Sequence, residues 1–129
     1  MNETIARYFD DIEARLIASP AIFSYRVLRR EIAPSDGKLR VKATLTNGGT
    51  AELFEYVTET SGQITTQKYS FHWQDTKGKL VVRWDNAPHH KELPNAPFHL
   101  HEAGGAVRAT PGAMSIVMVI EEIEKAVSS

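Results

Sequence analysis

The chain has no cysteine among its 129 residues. That absence excludes disulfides, thiolate nucleophiles and sulfur-ligated zinc or iron–sulfur centres, and it suits a reducing, cytoplasmic setting. Long apolar runs are missing too. The longest, Ile116 to Ile120, is far too short to span a bilayer, so no membrane partner is expected. Residues 1–16, MNETIARYFDDIEARL, are acidic and amphipathic, which is not the pattern of a signal peptide. Neither sign of charge is in excess, with 15 Lys and Arg against 16 Asp and Glu and a net charge of −1. Low-complexity tracts and long linkers are absent, so one domain with its own modest core is expected over residues 1–129.

What is present is organised by periodicity. Ile5, Phe9, Ile12 and Leu16 recur at helical spacing, and Ser19–Pro20 ends that helix. Strands follow. IFSYRVLRREI is rich in β-favouring residues, SDG at 35–37 turns the chain, and LRVKATLT alternates cleanly. NGG at 47–49 signals a hairpin whose two- or three-residue loop is left open, AELFEYVTE returns, and SGQ at 61–63 turns again. If DTKG at 75–78 is a four-residue loop with Gly78 left-handed, Trp73 faces Leu80, Phe71 faces Val82 and Tyr69 faces Trp84, all on the buried side. That register puts Ser70 across from Arg83, Lys68 across from Asp85, and His72 diagonal to Arg83. An irregular, proline-rich segment follows Asp85. Thr110 as N-cap and Pro111 at the first helical position then open a closing helix, with Met114, Val117, Ile120, Ile123 and Val127 as its stripe. The expected fold is therefore α+β: an N-terminal helix, a five-stranded, mainly antiparallel, curved sheet and a C-terminal helix.

The stretch YSFHWQDTKGKLVVRWDNAPHH, residues 69–90, resembles the signature of the TumE family, the toxin components of bacterial and archaeal toxin–antitoxin pairs. SPAIFSYRVLRREI, KLRVKATLTNGGTAELFEYV and VIEEIEKAV follow that family's pattern as well, so the resemblance covers nearly the whole chain. It implies a cognate antitoxin, a small helix-turn-helix protein encoded nearby. One departure stands out. Where the family carries phenylalanine–proline, two histidines, a basic residue and another histidine, this chain has Phe98, His99, Leu100 and His101.

Four of the five histidines fall between residues 83 and 101. RNA supplies its own 2′-hydroxyl nucleophile, so cleaving it without metal needs a base, an acid and a cation for the developing charge. Imidazole serves either proton role near neutral pH, and arginine matches phosphate oxygens with a fork of donors. The candidate catalytic set is His72, Arg83, Asp85, His89, His90, His99 and His101. Lys68, Arg83 and Tyr56 are candidates for binding substrate, and no cofactor is needed. Residues 26–42 add a basic face of six cations against two acids. For Lys68, Arg83 and Asp85 alone, an ordinary cross-strand ion network is the simpler explanation. Glu55 is an alternative base if it reaches Arg83 across the sheet. A metalloprotein is a second function class: the HH and HxH pairs, with Asp85, Glu92 or Glu102, could ligate a transition ion. A third is a non-catalytic module that binds nucleic acid or protein. Exposed sheet edges and the apolar closing helix are compatible with a homodimer.

Overall fold

The computed structural model describes residues 1–88 and 96–127. Helix α1 spans Glu3–Ala18, strands β1 to β5 span Ile22–Ile32, Asp36–Leu45, Thr50–Thr60, Gln63–Gln74 and Leu80–Asp85, strands β6 and β7 span His99–Glu102 and Val107–Ala109, and helix α2 spans Ile116–Val127. The α+β class, the two terminal helices and the antiparallel sheet match expectation. The strand count does not. The sheet is a seven-stranded antiparallel meander in the order β1-β2-β3-β4-β5-β6-β7. The two added strands come from the segment expected to be irregular. HLHE and VRA, at four and three residues, are too short to carry a strand-length alternation, and Gly104 and Gly105, at φ 90° and 94°, turn the chain between them.

Both helices pack on one face of the sheet. Asn2 caps α1 by accepting a hydrogen bond from the Ile5 amide at 3.0 Å, worth roughly 1 kcal/mol. Ile5, Phe9, Ile12 and Leu16 are buried against Leu39, Val41, Leu53 and their neighbours. Arg30 on β1 grips Glu13 at 2.6 Å and Asp10 at 2.8 Å, which fixes the helix against the sheet edge. Strand β2 begins at Asp36, so Gly37 is paired with Ile32 and is not part of the turn as SDG suggested. A Cβ there would lie 2.8 Å from Ile5 Cγ2, which is why the helix can approach so closely. Helix α2 begins later than Thr110–Pro111 implied. Ser115 caps it through the Met118 amide, and Thr110 is buried with its hydroxyl donating to the Gly112 carbonyl. Its buried stripe is Ile116, Val119, Ile120 and Ile123; Val117 is only half-buried, and Met114 is buried ahead of the helix.

The β4–β5 register is shifted by two residues from the expected one. Gly78 is left-handed at φ 78°, as anticipated, but the loop is one residue tighter, with the Asp75 amide donating to Lys79 O at 2.8 Å. A bulge then shifts the pairing again, between Trp73↔Val82 and Gln74↔Leu80. Two single-residue shifts leave the side chains from Val82 to Asp85 on their original faces, but only one shift acts on Leu80, which pairs with Gln74 and so leaves the Trp73 face where it was expected. Tyr69, Phe71, Trp73 and Trp84 are therefore buried under the helices as expected, although Phe71 and not Tyr69 faces Trp84. Among the described residues no helix is long and apolar enough to cross a membrane.

Candidate functional site

The sheet face away from the helices carries polar groups in rows that run across the strands. Alternation along each strand puts one group per row on this side. In the first row Lys42 is paired with Glu52, Glu52 with His72, His72 with Arg83 and Arg83 with His101. In the second, Arg40, Phe54, Ser70, Asp85 and His99 follow one another. Lys38, Tyr56 and Lys68 make a third. The two-residue shift thus brings His72 directly opposite Arg83. It also puts Ser70, not Lys68, across from Asp85, and Lys68 lies past the end of the β4–β5 pairing.

Strands β5 and β6 build a compact cluster. The Arg83 guanidinium Nη2 donates to His101 Nε2 at 3.1 Å, so that nitrogen presents its lone pair. Arg83 Nε lies 3.3 Å from Asp85 Oδ2, an ion-pair contact. Asp85 Oδ1 lies 2.9 Å from His99 Nε2, and Oδ2 lies 3.5 Å from His101 Nε2. The same Oδ1 accepts the Ala87 amide at 3.1 Å, which tightens the bend after the strand. His99 Nδ1 donates to the Pro97 carbonyl at 2.7 Å. The rings of His99 and His101 meet edge-on, with centroids 4.9 Å apart. His99 is 1% exposed and Asp85 8%, so this pair sits beneath the accessible Arg83 and His101. Across β4, the His72 imidazole is held below its ordinary value, first by partial burial and then by the Arg83 charge, with Glu52 opposing. Its neutral form is favoured.

Of the expected site residues, the structure brings together His72, Arg83, Asp85, His99 and His101. His89, His90 and Glu92 lie outside the described residues. Glu55 is not a base for Arg83. It points to the opposite face and is completely buried, accepting from the Tyr8 hydroxyl at 2.5 Å, the Thr66 hydroxyl at 3.3 Å and the Ile116 amide at 2.9 Å. Burial pushes its carboxyl up despite those donors. Glu102 also faces away from the imidazoles, towards Trp84 and α2, and pairs with Arg108 at 2.8 Å. Asp85, His99 and His101 offer ligand atoms within 4.8 Å of one another, so the HxH pair with Asp85 is the part of the expected ligand set that assembles among the described residues.

Beside the cluster lies a cleft of about 920 Å³, lined in part by Lys38, Arg40, Phe54, Tyr56, Lys68 and Arg83. Arg40 Cζ lies 4.4 Å over the Phe54 ring centroid, and Arg40 Nη1 donates to Glu52 at 2.8 Å. Lys38 Nζ lies 5.6 Å over Tyr56, whose hydroxyl donates to Asp36 at 3.0 Å. The sequence counted Arg40 only as one of the six cations of residues 26–42 and did not single out Phe54. The signal was the shared alternation of β2 and β3, which places them opposite each other once the loop is taken as residues 46–48.

A family model described as Toxin TumE matches residues 11–128. No curated protein and no solved structure matches the chain.

Proposed function

The chain belongs to the Toxin TumE family, and from that premise we propose that it acts as a growth-inhibiting toxin that cleaves RNA by metal-independent acid–base chemistry and is restrained by a cognate helix-turn-helix antitoxin. The supporting observation is the row His72–Arg83–His101, an arginine with an imidazole on either side across three neighbouring strands. At about 4.8 Å per strand, the two imidazole-bearing backbones stand roughly 10 Å apart, enough to admit a phosphodiester between them. Arg83 turns its fork from His101 to the phosphate oxygens and stabilises their charge as it develops. His72, kept neutral, takes the proton of the 2′-hydroxyl. The 2′-oxygen attacks phosphorus, and the bond from phosphorus to the 5′-oxygen breaks. Once Arg83 has turned away, His101 Nε2 takes up a proton from solvent and gives it to that leaving oxygen, with the Asp85 carboxylate placed to stabilise the imidazolium. The products are a 2′,3′-cyclic phosphate and a free 5′-hydroxyl. His99 is too deeply buried to touch substrate, and it acts as a positioning residue for Asp85.

The test is induced expression followed by gel analysis of total RNA. Growth arrest with RNA fragments is expected from the wild type, and both should vanish in folded His101→Ala and Arg83→Ala variants. Arrest that persists in both variants would reject the site.

A metal centre is the second reading, favoured by the Asp85–His99–His101 triad and by the hydrogen bond from His99 Nδ1 to the Pro97 carbonyl, a usual support for a ligating imidazole. Arg83 weakens it, because its guanidinium already occupies the His101 lone pair and adds positive charge beside the triad. Stoichiometric metal in the purified protein, with cleavage lost to chelator, would favour this reading over the acid–base one.

A further inference from the structure

The cleft is larger than one phosphodiester requires, and its lining is not merely basic. Arg40 is fixed from two sides, by the Phe54 ring beneath it and by Glu52 at its edge, yet its side chain remains 36% exposed. Phe54 itself is only 7% exposed, so the stacking surface offered to a ligand is the outer face of the guanidinium. The acids of the cleft are engaged: Glu31 by Arg29, Asp36 by Tyr56, and Asp85 by Arg83 and His99. Lys68 is exposed and forms no ion pair among the described residues. The second row leads from Arg40 through Phe54 and Ser70 to Asp85, beside Arg83, a path of three strand spacings or roughly 14 Å.

We infer that this cleft binds single-stranded RNA, with one unpaired base stacked on the Arg40 guanidinium and neighbouring phosphates held by Lys38 and Lys68, so that the strand runs towards Arg83. The assignment rests on the cleavage reading and names the form of substrate it takes. A planar cation backed by an aromatic ring is a platform for a base of any identity, because every base has a π-face. It requires that face to be free, which a duplex does not allow.

Fluorescence anisotropy with a labelled 2′-fluoro RNA strand, which cannot be cleaved, tests this apart from catalysis. The wild type should bind the single strand well above the same strand annealed to its complement. Arg40→Lys keeps the charge but loses the flat stacking surface. It should weaken binding at least about five-fold, the lower end for one stacked base, with the salt dependence unchanged. Lys68→Gln should instead flatten the salt slope by about 0.7, one phosphate contact on a single strand. Circular dichroism and thermal melting confirm that both variants fold. Equal binding of duplex, unchanged affinity in Arg40→Lys, or displacement by polyglutamate at equal charge would overturn the inference, the last by assigning the cleft to an acidic peptide. Absence of cleavage on natural RNA with the Arg40→Lys loss intact would sink the catalytic reading and leave the cleft. Cleavage with an unaffected Arg40→Lys would do the reverse.

Discussion

Replacing Glu55 by glutamine should change the pH dependence of stability more than its size. The wild-type carboxyl is completely buried among Tyr8, Thr66 and the first amide of α2, and burial lifts its folded value above the ordinary 4.5. Between 4.5 and that raised value the folded chain holds a proton the unfolded chain has released, so stability falls as pH rises through the window. The slope is about 1.4 kcal/mol per pH unit while the two states differ by one proton. Glutamine is nearly isosteric. Its carbonyl can still accept from Ile116, and its amide can donate to the Tyr8 hydroxyl if that group turns to accept. Tyr8 does not confuse the experiment, since burial and the Glu55 charge push its own titration far above the window. Urea unfolding, followed through the buried Trp73 and Trp84, should therefore show Glu55→Gln gaining on the wild type as pH rises from 4.5, then levelling off. A difference that is flat or declines with pH would mean the carboxylate is stabilised as an ion, and the reasoning would fail. Glu55→Leu removes the acceptor for three donors, and the stranded Ile116 amide alone should cost about 1–3 kcal/mol.

Other outcomes follow from the same geometry. His72 is depressed by burial and by Arg83, so its contribution to stability is complete above its ordinary 6.5 and is lost as pH falls through the folded value; an NMR titration should show it titrating below 6.5 and moving upward in Arg83→Leu. Gly37→Ala forces a methyl to 2.8 Å from Ile5 Cγ2 and 3.1 Å from the Glu31 carbonyl, and chemical denaturation should register a loss of roughly 1–3 kcal/mol. Arg83→Lys keeps the charge but not the fork that reaches both His101 and Asp85, and single-turnover kinetics should show RNA cleavage slowed by roughly two orders of magnitude.

Long periodic segments were legible in the sequence because burial forces the pattern. The stripe of α1 and the alternating face of β2 stand as expected, and Trp73, Phe71 and Trp84 stayed on the inner side through a two-residue register change because the period is two, whereas Leu80 did not. The shift itself was not legible. It arises from a tighter loop plus a bulge, and neither alters the apolar pattern. Strands β6 and β7 were hidden for a different reason: β6 carries His99 and His101 where a strand would show a polar or apolar surface pattern, and β7 is only three residues long, too short to announce itself. The residue types of the site could be read, but their pairing could not. Asp85 joining His99 and His101 depends on β6 returning beside β5. Glu55 shows the converse hazard, since a carboxylate in a strand reads as solvated or catalytic, and only the packing of both helices reveals it as a buried hub.

The most direct measurement is mass-spectrometric identification of the ends produced when purified protein acts on a short RNA in excess chelator. Expected are 2′,3′-cyclic phosphate and 5′-hydroxyl termini, absent when the nucleotide at the cut carries a 2′-deoxy sugar and absent with His72→Asn or His101→Asn. Fragments bearing 3′-hydroxyl and 5′-phosphate ends, or unchanged cleavage of the 2′-deoxy substrate, would contradict catalysis by the His72–Arg83–His101 row.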